Sequence, residues 1–277
     1  MVKEFKTIRI ILDRSASGCE NMARDEALFL LSGSLETPVL RLYNFHPPCI
    51  SIGRSQQYPG CLDIGKCVQR GIDVVRRPTG GLSILHMNDF TYSMVLPLLS
   101  GSDGFDMASF SLISQGIVIA LENLGVKAEV VRRENESARR GQWCFTGMFG
   151  IDIEWNGKKI CGSAQRSSRN AVLQHGTILI SRPVVSVRDL VSEGRTQEPF
   201  DIDFESHFIT LVEAGADRWD YESVSEAFIL GFSDSLQAEV QIDKFRPDEV
   251  SLSERLCRHK YRSDSWLKYG RHAGYHR

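Results

Sequence analysis

This sequence predicts an α+β fold with a mixed, largely antiparallel central sheet flanked by helices. Three observations predict it. Short apolar runs of strand length crowd the first two thirds of the chain, without the regular helical crossovers of a parallel α/β sheet. Asn156-Gly157 sits between two such runs, the strongest short-range signal for a β-hairpin. Phe110, Ile113, Ile117, Leu121 and Leu124 recur every three or four positions, with Gly125 placed to close the helix.

Thr7 to Leu12 reads as a strand and Glu20 to Leu31 as an amphipathic helix. Val39 to Phe45 and Cys49 to Gly53 read as strands parted by the His46-Pro47-Pro48 turn. Asp73 to Arg77, Ser83 to His86 and Thr91 to Leu96 are strands around a paired-glycine loop. Ala108 to Leu124 is the clearest helix, and Val126 to Val131 follows as a strand. Arg132 to Gln142 is so polar that it reads as a mobile loop. Val172 to Ile180 is a further strand, and the remainder is mainly helical, including Tyr221 to Phe232 and Pro247 to Tyr261. There is no internal repeat and no Pro/Gly/Ser-rich linker, so residues 1–277 are expected to form one domain with a helical part from about 182.

Composition excludes several classes. Of 277 residues, 42% are hydrophobic and 25% charged, ordinary for a globular chain. A net charge of −2 gives no bulk attraction to nucleic acid. No apolar run is long enough to span a membrane, and the amino terminus lacks the apolar core of a signal peptide, so the cytoplasm is the expected compartment. Seven scattered cysteines, an odd number, do not form a disulfide framework. His46, Cys49, Cys61 and Cys67 lack paired C-x-x-C knuckles, so buried thiols describe them better than a zinc site.

Three runs carry the chemistry. In the hairpin, a two-residue turn pairs Trp155 with Lys158, Glu154 with Lys159 and Asp152 with Cys161. Alternation then puts Ile151, Ile153 and Ile160 on one face and Asp152, Glu154, Lys159 and Cys161 on the other. The simplest reading of Lys159 is a solvated ion pair with Glu154. The small residues Gly162-Ser163-Ala164 let a ligand or a second backbone approach closely, which also suits a lysine facing a pocket. Cys144, beside Trp143 and Phe145, is either an inert thiol or a nucleophile; the second role needs a nearby cation to hold it as thiolate. Arg76-Arg77-Pro78-Thr79-Gly80-Gly81 offers backbone N–H groups and two guanidinium groups to an anion, as well as a plain turn. His86 and His175 fit a structural role or a pocket donor.

Taken together, these runs resemble the lipoate/octanoate branch of the biotin and lipoate protein ligase superfamily. The matching stretches are Glu20 to Glu26, Ser51 to Gln56, Arg76 to Gly81 through His86, Gly157 to Gln165, Leu173 to Leu179, and the closing Lys260-Tyr261 and Trp266. The resemblance implies a mixed sheet akin to biotin ligase and class II synthetase catalytic domains. Cys144-Phe145 resembles the signature of cysteine-dependent octanoyltransferases, with Cys144 and Lys159, fifteen positions apart, falling on the nucleophile and the lysine that lowers its pKa. Two features depart from the family pattern: Leu82 follows the glycine pair, and Met87-Asn88 separate His86 from Asp89.

What the resemblance implies is double displacement. Cys144 takes octanoyl from octanoyl-acyl carrier protein as a thioester and passes it to the lysine of a lipoyl domain, such as that of glycine cleavage H protein or a 2-oxoacid dehydrogenase E2. Gly80, Gly81 and Gly162 are expected to shape the acyl tunnel. Arg76, Arg77, His86, Ser163, His175 and Gly176 are expected to bind substrate beside them. No ATP, metal or other cofactor is required, because the thioester is already activated. An amidotransferase between lipoyl proteins and an ATP-dependent lipoate ligase remain as alternatives, as does a binding module without turnover.

Overall fold

A computed structural model describes residues 4–32, 37–98, 106–132, 151–192 and 206–271. Eleven strands form two sheets among these residues: β1 (Thr7–Ala16), β2 (Val39–Phe45), β3 (Cys49–Ile52), β4 (Asp73–Arg76), β5 (Ile84–His86), β6 (Asp89–Pro97), β7 (Glu129–Arg132), β8 (Ile151–Trp155), β9 (Lys158–Ser167), β10 (Ala171–Leu179) and β11 (Glu239–Asp243). The large sheet runs β11-β1-β2-β6-β10-β9-β8-β7, and β4-β3-β5 form a small one. In the large sheet only β1 pairs in parallel, with β2 and with β11. The predicted α+β class with a largely antiparallel sheet is what the chain adopts.

Strand alternation sends neighbouring residues of β2 to different layers. Leu40 and Leu42 join the main core, while Arg41, Tyr43 and Phe45 face the other side. On the main-core face lie α3 (Met107–Asn123) and α4 (Tyr221–Leu236), capped by Asp106 and Asp220. The predicted period of α3 buries Phe110, Ile113, Ile117 and Leu121. Phe90, Tyr92, Phe228 and Phe232 fill the space between sheet and α4 with tilted rings whose centroids lie 5.1 to 5.9 Å apart from sheet to helix. Such pairs add about 0.5–1.5 kcal/mol each beyond area burial.

The opposite face carries α1 (Gly18–Leu31), opened by a reciprocal Ser17/Glu20 capping box. The predicted amphipathic helix is in fact enclosed on most sides. Asn21, Asp25 and Glu26 are buried along with Met22, Ala23, Ala27 and Leu28, so its polar residues need partners from elsewhere. α2 (Ile64–Gln69) supports the small sheet. The stretch beyond 206 is helical in α4, α5 (Pro247–Leu256), its π-helical continuation Cys257–Tyr261, and α6 (Asp264–Tyr269). It also supplies β11, which extends the large sheet beside β1.

Asn156 and Gly157 both adopt positive φ, 48° and 73°, as a primed two-residue turn requires. Trp155 pairs with Lys158 and Glu154 with Lys159, as predicted. The next pair differs: Ile153, not Asp152, lies opposite Cys161, because the register shifts between Ile153 and Glu154. An extra residue on β9 forms a β-bulge there. It moves Cys161 off the polar face, and Cys161, Ile160 and Ile153 all enter the main core.

Candidate active site

Lys159 is enclosed. Instead of a solvated pair with Glu154, Lys159 is 5% exposed and its Nζ lies 2.5 Å from Asp152 Oδ1. Its backbone is also held, donating to His207 O and accepting from Ile209 N, both at 3.0 Å. Cys144 lies outside the described residues, as do 133–143 and 145–150; of the segment read as a loop from Arg132 to Gln142, only Arg132 is described, and it ends β7.

Three residues beyond Lys159, β9 begins to line a small, half-open cavity of about 30 Å³, narrower than a typical ligand cleft. Gly162, Ser163 and Ala164 form one wall; His175, Gly176 and Thr177 of the adjacent β10 extend it. Met22, Tyr43 and Phe45 close it below, and Arg77, Gly81, Ile84 and His86 face it from the small sheet and the glycine loop. Most of this lining is apolar. The fold therefore gathers Arg77, Gly81, His86, Gly162, Ser163, His175 and Gly176 of the sequence-predicted set. Lys159, Arg76 and Gly80 are outside the lining.

Arg76 requires a correction. Its expected task was to neutralise an anion, but its guanidinium is 1% exposed and spent on carbonyls. Nη1 donates to Gly53 O, Arg54 O and Gln56 O, while Nε and Nη2 donate to the carbonyls of Trp266 and Leu267. Trp266 Nε1 returns a bond to Arg76 O at 3.0 Å, so this arginine fastens α6 to the small sheet. Arg77 is also committed: Nη1 donates to Ser51 O and Oγ at 2.7 Å, and Nη2 to Gly80 O and Leu82 O at 3.0 and 2.7 Å. It borders the cavity as a brace for the glycine loop. Gly53 lets that loop close in, since a Cβ there would sit 1.9 Å from Gly81 O.

Both histidines belong to hydrogen-bonded chains. His175 Nδ1 lies 2.9 Å from Asp25 Oδ2, and its Nε2 lies 2.6 Å from Thr79 Oγ1. Asp25, fully buried, also accepts from Arg41 Nη1 at 2.6 Å and Tyr43 OH at 2.8 Å. Burial by itself pushes the Asp25 carboxyl up, but Arg41, then His175 and Tyr43, bring it below its usual value. Burial lowers the His175 pKa from 6.5, outweighing the pull of Asp25. His86 Nδ1 lies 2.6 Å from Asp89 Oδ2 and Nε2 2.8 Å from Ser51 Oγ, with its ring stacked on Phe45 at 3.8 Å. The two residues inserted between His86 and Asp89 therefore do not part them, because β5 and β6 turn back between them. Thr177 Oγ1 adds a 2.6 Å bond to Asp89.

Sequence reasoning missed Asp25, Tyr43, Arg41, Thr79, Ser51 and Asp89. The available signal was the run of polar residues on an otherwise apolar helix face at Asn21 and Asp25. The cysteines considered for zinc separate: Cys49 packs with Met22 and Tyr43, and Cys61 and Cys67 pack in a second cluster under α2. Among the described residues, no group of three or more His, Cys, Asp or Glu side chains is placed to hold a metal ion, and no helix is long and apolar enough to cross a membrane.

Comparison with known proteins gives the arrangement its context. The profile of the lipoyl protein ligase A/B catalytic domain matches residues 17–233. Octanoyltransferase LipM of Kyrpidia tusciae is 33% identical over 272 residues, covering 95% of this chain and 98% of its own. Octanoyltransferase LipM of Carboxydothermus hydrogenoformans is 33% identical over 280 residues, covering 95% and 99%. A solved putative lipoate protein ligase from T. acidophilum superposes with a TM-score of 0.75 at 24% identity, over 95% of this chain and 99% of that one, which establishes the shared fold.

Proposed function

Since the chain belongs to the lipoyl protein ligase A/B catalytic domain family, we propose that it is an octanoyltransferase of protein lipoylation, working through a covalent thioester on Cys144. The observation that carries this reading is the end-to-end match to curated octanoyltransferases. The surface behind Gly162-Ser163-Ala164 is apolar, the chemistry an acyl chain needs, although the cavity must widen to admit one.

The Cys144 thiolate attacks the thioester carbonyl of octanoyl-acyl carrier protein. The carrier thiolate leaves, and octanoyl remains on sulfur. A lysine amine of a lipoyl domain then attacks that second thioester, an amide forms, and the Cys144 thiolate is regenerated. Lys159 favours the thiolate by its charge and helps to balance the oxyanion that develops on the carbonyl. Asp152, 2.5 Å from the Lys159 ammonium, fixes its position while offsetting part of its charge, so the role rests on Lys159 approaching the thiolate more closely than Asp152 does. Gly81, Gly162 and Gly176 allow backbone and chain to approach closely, and the entire chain acts as one catalytic domain.

The ATP-dependent ligase reading draws on the shared fold and on the family model, and not on the full-length relatives. The arginines beside the glycine loop give their terminal N–H groups to main-chain carbonyls and Ser51 rather than to the cavity. Incubating the protein with octanoyl-acyl carrier protein and measuring its intact mass tests the proposal. One octanoyl adduct is expected on the native protein and none on Cys144→Ala. An adduct that survives the substitution eliminates the thioester route.

A further inference from the structure

Two side-chain chains of the same composition reach the glycine loop from opposite sides. One runs Asp25–His175–Thr79, and Thr79 is the residue before Gly80-Gly81. The other runs Asp89–His86–Ser51, and Ser51 passes it to Arg77, whose Nη2 holds Gly80 O and Leu82 O. All of these side chains are buried. The direction of each bond follows from donor and acceptor counting. A carboxylate only accepts, so each Nδ1 bears its hydrogen, and a neutral imidazole must then accept at Nε2. The hydroxyl of Thr79 therefore donates to His175. Ser51 Oγ already receives Arg77 Nη1–H, and its own hydrogen goes to His86.

We propose that these paired Asp–His–hydroxyl relays position the glycine loop so that Gly81 forms the cavity wall against the acyl chain, making Asp25, Thr79, Ser51 and Asp89 positioning residues for acyl transfer. The inference rests on the acyl-cavity reading above. Fixing the loop is worthwhile because Gly81 reaches across to β9: a Cβ on it would lie 3.6 Å from Ala164 Cβ. Thr79 O also accepts Arg54 N at 2.8 Å, so losing one relay releases one edge of the loop and not the fold around it. A wall that touches the chain equally in ground and transition states changes KM and leaves kcat alone.

The test has two arms. Thr79→Val keeps the shape and removes the donor; Thr79→Ser restores it. In steady-state transfer from octanoyl-acyl carrier protein, Thr79→Val is expected to raise the donor KM about tenfold with kcat held within about twofold, the scale of one lost hydrogen bond. Thr79→Ser is expected to restore the native KM. An unchanged KM in Thr79→Val, or a serine variant as impaired as the valine one, overturns the proposal. The second arm needs no variant: ¹⁵N spectra of the histidine rings at neutral pH should show His175 and His86 as Nδ1–H tautomers, and an Nε2–H tautomer at either overturns it. Failure of the acyl reading appears separately, as a native protein that acquires no octanoyl adduct.

Discussion

Asp25 and Glu26 are consecutive on α1, both are buried, and each holds a cation, yet they serve different parts of the molecule. Successive helical residues point about 100° apart. Asp25 turns toward β2 and the cavity, where it meets Arg41, Tyr43 and His175. Glu26 turns toward the carboxy-terminal helices, where it accepts from Lys260 Nζ at 2.6 Å and Tyr261 OH at 2.8 Å, and it also accepts from Arg166 Nη1 of β9 at 2.9 Å. The parallel extends to an aromatic ring under each cation: Arg41 lies 3.7 Å above Tyr43, and Lys260 3.9 Å above Trp266. Chemically the two centres are near copies. Only the first is joined to the cavity through a histidine, so the difference between structural clamp and working site lies in what the carboxylate touches next.

The largest effect expected is on stability, and it should be shared. Glu26→Ala leaves the buried Lys260 without its carboxylate, a loss of about 3–5 kcal/mol, and Asp25→Ala approaches the lower end of that range because Arg41 keeps Asp13 at 2.7 Å. Urea unfolding measures this. Under conditions where both variants remain folded, only Asp25→Ala should raise the KM for the octanoyl donor; a matching rise in Glu26→Ala would end the distinction.

A finer version uses the two tyrosines. Tyr43→Phe and Tyr261→Phe each delete one O–H donor to a buried carboxylate 2.8 Å away. A hydrogen bond to a charged group contributes about 1.5–3 kcal/mol, so the two unfolding midpoints should fall by similar amounts. Donor KM should move in Tyr43→Phe alone.

Acid gives the smallest separation. His175 is held neutral by burial, with Asp25 on α1, Arg77 before the glycine loop and His86 on β5 as its charged or titratable neighbours. Its folded pKa lies below the unfolded value of 6.5, so on acidification the unfolded chain takes up the proton first. Stability is complete above about pH 6.5 and declines below it, by at most about 1.4 kcal/mol per pH unit. The folded pKa of Glu26 is depressed below 4.5, so its contribution is lost only in stronger acid. Unfolding curves between pH 7.5 and 5.5 should be steeper in pH for the native protein than for His175→Asn. Equal slopes would show that His175 does not carry this dependence.

Legibility in the sequence varied with the range of the interaction. The period of α3 and the Asn156-Gly157 turn are settled within a few residues, and each was readable; the Ser17/Glu20 capping box, which starts α1 at Gly18 and not Glu20, was not read. The β9 bulge was not readable, because nothing in Lys158-Lys159-Ile160-Cys161 marks an extra residue. That one residue replaced Asp152 by Ile153 opposite Cys161 and sent Cys161 into the core. β11 also escaped notice: Glu239 to Asp243 alternates polar and apolar residues over only five positions, and its partner β1 lies more than 220 residues earlier. Seven residues of the predicted site gather around the cavity, whereas Arg76, read as an anion ligand, joins α6 to the small sheet. Neighbouring arginines look alike until their carbonyl acceptors are known.

By itself the sequence determined the α+β class, most elements and the motifs that place the chain in its family, since periodicity, caps and turn chemistry act over a few bonds. Tertiary structure decided which of two adjacent carboxylates faces the cavity, which arginine is a fastener and which histidine nitrogen carries a hydrogen. Those outcomes depend on donors and acceptors from strands and helices up to 235 residues apart, brought together only when burial forces every polar group to find a partner.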